Sequence, residues 1–428
     1  MTQPTRFLLW SVFFVVLAIV AVVATRTYFT APYPGMNDFF SRWEGARSYW
    51  VEGLNPYGDD ASLNIQVGIY GRPVTELEDP GYFAYPFYTT FLLLPISFTD
   101  YAWASAVWMV LLEACLIGAL LLILAHFQWR PAPLLLGTLV LWTLISYFPA
   151  RGLILGQPGI LVYFLEVVAI WALGRKSDRL AGVALAVSTL KPQMGYLLVP
   201  FLLLWGLREA RWQFVGAFIV SFGALMGASF LLLPTWMSDW LGQVGLYTSY
   251  TQIGGPVWVI ANGVWLGINP ETGLWQVDGG FGTQIEWVIA GAFYLYMLWI
   301  WYTVLIQRQR ERFMWAIVMT LTITHLVAPR TASPHFVVFM IPLVFYLRWL
   351  TQRYRRKGGT WMAIGILALL FVQQWAHFLL TVDGEFEHPT IYLPTPIVLF
   401  VLLIATRHWW WNDARDRFQR ELKDNAPA

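Results

Sequence analysis

Residues 36–59 read MNDFFSRWEGARSYWVEGLNPYGD, and they interrupt an otherwise apolar chain with a polar, aromatic-rich insertion that opens on Asp38. On one side lies the hydrophobic segment 7–25 and on the other the segment 83–98, so this stretch marks where the chain first leaves a hydrophobic phase. With 58% hydrophobic and only 12% charged residues, and a mean hydropathy of +0.55, an ordinary soluble domain is excluded. A helix needs about 20 apolar residues to cross a bilayer. Candidate segments lie near 7–25, 83–98, 101–126, 132–150, 156–173, 179–206, 212–233, 286–306, 313–328, 335–350, 361–380 and 391–408. The expectation is an all-α, polytopic, multi-pass plasma-membrane protein of about 12 spans, organised as one integral domain over residues 1–428.

Orientation follows from the basic residues, which accumulate in short cytoplasmic connections. These are GRKSDR (174–179), REAR (208–211), QRQRER (307–312), RWLTQRYRRK (348–357) and the tail 407–428. Two long polar insertions, 26–82 and 234–285, then fall on the outer side, together with the 327–335 turn and the acidic DGEFEHP at 383–389. The first segment outlasts the roughly 7–15 apolar residues of a signal peptide and reads as a retained helix. The shortness of 83–98 and the Pro and Gly breaks in 132–173 and 179–206 predict that one of these segments fails to cross, with two short helices meeting at the outer face near Lys191-Pro192 or a single kinked one.

Within 36–59, Phe39, Phe40, Trp43, Ala46, Tyr49 and Trp50 recur at spacings of three and four, which predicts an amphipathic helix lying on the membrane surface. Asp38 stands at its start. An aspartate there caps a helix N-terminus well, and it is equally placed to act as a base at the membrane boundary. Lys191, Arg330 and His335 each sit at an outer boundary beside or between prolines. A cation at such a depth is a functional candidate against a background of snorkelling to lipid headgroups. Arg151, in the run PARGLILGQP, is a lower-ranked cation beside Gln157. Glu113 and Glu166 lie in apolar runs and need a partner or a proton. The 25 tryptophans suit interfacial belts, and Trp236, Trp240, Trp258, Trp265 and Trp275 cluster in the second insertion. A single cysteine, Cys115, forms no disulfide within the chain, and the histidines show no metal-ligand spacing, so neither a metal nor a cofactor is expected. No Walker lysine loop or dinucleotide-binding glycine motif is present, and nothing supports nucleic-acid binding.

The order of Asp38, GLNPY (53–57), YFAYPF (82–87), LGQP (155–158), TLKPQ (189–193) and APRTASPH (328–335) resembles glycosyltransferase family 87, membrane transferases of the GT-C type that use polyprenyl-phosphate-linked sugars. The resemblance implies a hexosyltransferase, with mannose as the sugar, a polyprenyl-phosphate donor and a lipid or glycan acceptor, working on the extracytoplasmic side without a cofactor. It makes Asp38 the general base, and Lys191, Arg330 and His335 the groups on the donor phosphate. Asn55, Tyr57, Tyr85 and Gln157, which lie in the motifs that carry the likeness, become candidate substrate-binding residues. The competing readings are a secondary transporter or flippase, for which no internal repeat is visible, and a noncatalytic scaffold of glycan assembly.

Overall fold

The computed structural model describes residues 3–35, 38–75, 78–250, 254–263, 281–328, 331–354, 356–382 and 387–424, and these are helical with no strand among them. In chain order the helices are α1 (Gln3–Thr25, closed by a π turn Arg26–Thr30), α2 (Asp38–Trp50), α3 (Asp59–Tyr70), α4 (Thr89–Ser97), α5 (Tyr101–His126), α6 (Pro133–Ile145), α7 (Tyr147–Ile154) and α8 (Gly159–Gly174). There follow α9 (Asp178–Ser188), α10 (Pro192–Gly195), α11 (Leu198–Arg208), α12 (Trp212–Leu232), α13 (Trp236–Tyr250) and α14 (Pro256–Trp258). The chain ends with α15 (Phe281–Leu305), α16 (Phe313–Val327), α17 (Met340–Arg353), α18 (Arg356–Thr381), α19 (Pro394–Ala405) and α20 (Arg407–Asp424).

Among the described residues six helices are long and apolar enough to span, and two bent pairs raise the number to as many as eight, against the roughly 12 expected from spanning length. The difference has local causes. The 83–98 segment forms only α4, nine residues long and carrying Pro95, well short of a crossing. Segment 132–150 breaks at Ser146 into α6 and α7, bent by 46°. Segment 179–206 becomes α9, the single turn α10 and α11, so two short helices flank Lys191-Pro192 and the single kinked helix is not formed. Proline at that position cannot donate to the preceding turn and disfavours helical backbone at Lys191, which is extended at φ −127° and ψ 83°.

The chain divides into two compact units. The first comprises Met1–Gly118, Ala150–Leu161 and Gly223–Thr251; the second holds the remainder. In the first unit α1 is exposed on all sides, as a lipid-facing helix is. Helix α2 is covered by protein and does not leave a polar face to solvent. Phe39, Phe40, Trp43 and Ala46 are buried, and so are Ser41, Glu44, Gly45 and Ser48 on the remaining faces, because α3 and α4 pack on either side. The Trp43 indole donates to Ile96 O at 3.0 Å and that of Trp50 to Thr90 O at 3.0 Å, while Phe39 stacks on Trp108 at 5.1 Å. Such donors need acceptors, and the two ends of the short α4 supply them.

Burial raises the Glu44 carboxyl above its ordinary range, and the neighbouring Glu52 adds to this more than Arg47 offsets it. Because the folded group holds its proton more tightly, its favourable contribution is present below the unfolded carboxyl range and is lost as pH rises through the raised folded value. Glu44→Gln is therefore expected to melt at a higher temperature than wild type near neutral pH and at the same temperature near pH 4. A difference in melting temperature that does not change with pH would overturn this account of Glu44.

In the second unit α16 is buried from Met314 to Val327 and packs with α10, α11, α14, α15, α19 and α20. Helices α6 and α18 are tied by Trp142 Nε1 to Leu367 O and Trp375 Nε1 to Ile145 O, both at 3.0 Å. Helix α20 turns away from α19 by 62°. It is fastened by Trp410 stacked on Phe345 at 3.6 Å, Trp409 on Trp349 at 3.7 Å, and the Arg348–Asp413 ion pair at 2.8 Å. Large coplanar rings bury much area at little entropic cost, which suits a helix whose other residues are mostly polar.

Candidate functional site

The first unit assembles a carboxylate site. Asp38 is the first described residue of α2, with its side chain 43% exposed. The Gln157 amide, 4% exposed, donates to its Oδ2, and Arg42, one helical turn on, holds a guanidinium nitrogen 3.9 Å from Oδ1. Arg42 is itself fixed by Tyr85, whose hydroxyl accepts from Nη2 at 3.3 Å and whose ring lies 4.8 Å from the guanidinium carbon. One carboxylate oxygen is thus clamped by a buried amide while the group as a whole stays accessible.

Gly156 makes the clamp possible. Its φ of +61° is a left-handed conformation favourable only to glycine, and a Cβ there would come 2.5 Å from Phe39 Cβ. Its carbonyl accepts from Trp108 Nε1 at 2.8 Å. A groove lined by Phe29, Thr30, Ser105, Trp108, Met109 and Ile154 ends at this glycine. Gly156→Ala is expected to destabilise the protein by at least the roughly 1–2 kcal/mol of a left-handed alanine and to push Gln157 off Asp38. A melting temperature and turnover equal to wild type would show that neither constraint operates.

The turn GLNPY closes α2. Gly53, at φ +71°, donates its N–H to Tyr49 O at 3.2 Å, the bond of a left-handed cap, and Leu54 N reaches back to Ser48 O at 2.8 Å. Asn55 accepts from Tyr57 N at 3.0 Å and donates to Asp239 on α13 at 2.8 Å. Tyr57 is buried, its hydroxyl donates to Tyr85 O at 2.7 Å, and its carbonyl accepts from Gln243 at 2.8 Å. Burial pushes the Tyr57 phenol up and keeps it a donor. Asn55 and Tyr57 thereby join the first insertion to α13 of the second, and Tyr85 is brought to Arg42. Hydropathy had no means of flagging Asp79. Asp79 is solvent-exposed, but crowding by the surrounding protein raises its carboxyl and the Gly81 N–H, at 2.8 Å, lowers it, while the Asp38 charge raises it further, so a second carboxylate stands within electrostatic reach of the first.

The second unit assembles a cationic site. Lys191, 3% exposed, precedes α10, which packs on α16, and its charge acts on His325 of α16. Thr331 Oγ1 bridges the two imidazoles, 3.4 Å from His325 Nδ1 and 3.3 Å from His335 Nδ1, with the rings 6.1 Å apart. The Ala332 N–H donates to His335 Nδ1 at 3.1 Å, so the neutral ring carries its proton on Nε2. The single Thr331 hydroxyl proton can serve only one of the two imidazoles, and the His325 Nε2 is buried without a hydrogen-bond partner. His325 looked like a scattered histidine in the sequence, because nothing in helical spacing shows that it meets residues 331 and 335 across a turn. Gly255 passes so close over this turn that a Cβ would sit 2.7 Å from Ala328 O, which brings part of the second insertion against it. Glu166 faces the α10 turn, 3.5 Å from a Cβ placed on Gly195, and both its oxygens lack a partner. Arg330, Trp265 and Trp275 lie outside the described residues.

A sequence model of glycosyltransferase family 87 matches residues 83–329, more than half of the chain. The matched range contains Tyr85, Gln157, Lys191 and His325, whereas Asp38, Asn55, Tyr57, Arg330 and His335 lie outside it. No curated protein and no solved structure gives a significant match.

Proposed function

Since the chain belongs to glycosyltransferase family 87 and is a membrane glycosyltransferase, we propose that it moves a hexose from a polyprenyl-phosphate donor to a hydroxyl of a lipid or glycan acceptor, on the extracytoplasmic face of the plasma membrane. Mannose is the sugar that the family resemblance suggests. The observation that carries this reading is the exposed Asp38 carboxylate held by the buried Gln157 amide of the LGQP motif.

In the proposed reaction the acceptor hydroxyl gives its proton to Oδ1 of Asp38, the oxygen that the Gln157 amide does not hold, as the acceptor oxygen bonds to the anomeric carbon. The bond from that carbon to the phosphate oxygen breaks, and polyprenyl phosphate leaves with the electron pair. Gln157 and Arg42 keep the carboxylate in place; Asn55 and Tyr57 brace the loop that carries Tyr85. Negative charge grows on the departing phosphate, and preorganised donors are most effective where charge develops. Lys191 and the Nε2–H group of His335 have this chemistry, His325 stands beside them, and Arg330 is assigned to the same task.

The test is transfer by the purified full chain from synthetic polyprenyl-phosphate mannose to an extract of bacterial membrane lipids and glycans, with polyprenyl phosphate measured as the second product. Stoichiometric release of polyprenyl phosphate with glycosylated acceptor is the expected result. Absence of both donor binding and turnover would overturn the proposed donor.

A further inference from the structure

Glu387 belongs to the stretch DGEFEHP, which reads in the sequence as an acidic outer loop, yet it is 7% exposed. Its carboxylate accepts hydrogen bonds from three hydroxyls. Ser333 Oγ lies 2.6 and 2.9 Å from its two oxygens, Tyr392 OH is 2.9 Å from Oε2, and Tyr147 OH bonds Oε1. A buried carboxylate is costly unless such donors surround it.

The three hydroxyls come from three separate places. Tyr147 opens α7 at its bend from α6, Tyr392 lies in the 3₁₀ turn Pro389–Tyr392, and Ser333 is the first residue of the 3₁₀ helix Ser333–Phe339. Phe336 touches Phe148 at 5.2 Å and Tyr392 at 6.1 Å, so the same segments also meet through their rings. Two residues beyond Ser333 is His335, whose backbone N donates to Ala332 O at 2.9 Å and whose Nδ1 accepts from Ala332 N. A displacement of Ser333 therefore shifts Ala332, and with it the hydrogen bond that sets the His335 ring.

We infer that Glu387 is the positioning residue of the cationic site, holding Ser333 so that His335 presents Nε2 in one orientation. This rests on the reading of His335 as a group on the donor phosphate. Residues that orient a functional histidine through an intervening hydrogen bond are worth about 10–100-fold where they have been measured at metal centres, and a similar loss of kcat is expected for Glu387→Gln.

The experiment is a double-mutant cycle on the full chain in detergent, with kcat and donor KM for polyprenyl-phosphate mannose and melting temperature measured for Glu387→Gln, His335→Ala and both together. Ser333→Ala and Tyr392→Phe, which each remove one donor, are included in case Glu387→Gln does not fold. The expected result is that Glu387→Gln and Ser333→Ala lower kcat more than they change KM, and that adding Glu387→Gln to His335→Ala costs no further activity. Independent, multiplying losses alongside a slow His335→Ala would overturn the role of Glu387 alone. So would Ser333→Ala lowering the melting temperature with kcat unchanged. A His335→Ala variant as fast as wild type would remove the phosphate reading of His335, and this inference with it.

Discussion

Asp38→Asn is expected to bind the donor as wild type does and to turn over about 10²–10⁴-fold more slowly, the range that a positioned general base contributes. The substitution is chosen because asparagine and aspartate cap helices about equally well. If Asp38 served only to start α2, the variant would keep both its melting temperature and its activity. Asparagine also retains an oxygen for the Gln157 amide, so the geometry of the clamp survives and only the capacity to take a proton is lost. The loss should appear in kcat, because proton removal accompanies bond formation to the anomeric carbon and not donor binding. Equal kcat in the two proteins would remove Asp38 from the chemistry.

Lys191→Met carries the second large expected effect. Methionine fills much of the same space without charge, and removing one preorganised electrostatic contact from a developing anion typically costs about 10²–10³-fold in kcat. Lys191→Arg, which keeps the charge with a different shape, should recover part of the rate. A Lys191→Met protein that transfers sugar at the wild-type rate would leave the donor phosphate to the imidazoles, and one that fails to fold while Lys191→Arg is fully active would mark Lys191 as a structural cation.

Much of the architecture was legible residue by residue. The composition required a helical membrane protein, and the Lys191-Pro192 break was readable because proline acts on its immediate neighbours. The span count was less legible: 83–98 is visibly short for a crossing, but hydropathy measures apolarity over a window and does not register a bend such as that at Ser146. The periodicity of α2 was read correctly as one apolar face, but the same pattern serves a membrane surface or a protein interior. Only the flanking α3 and α4 select the interior.

The candidate sites divide in the same way. Asp38, Lys191 and His335 stood out because a charged or titratable group beside proline at an apolar boundary is conspicuous on its own. Their partners did not stand out. Gln157 reaches Asp38 across 119 positions, and Tyr147 reaches Glu387 across 240. His325 meets Thr331 only because the chain turns back at the end of α16. By itself, the sequence determined the solvent, the helical class and the family, since solvation and backbone preference are properties of single residues and their neighbours. The tertiary structure alone decided which amide holds the carboxylate, which ring nitrogen carries its proton and which acid is buried. Those outcomes depend on groups distant in sequence satisfying one another where water is excluded.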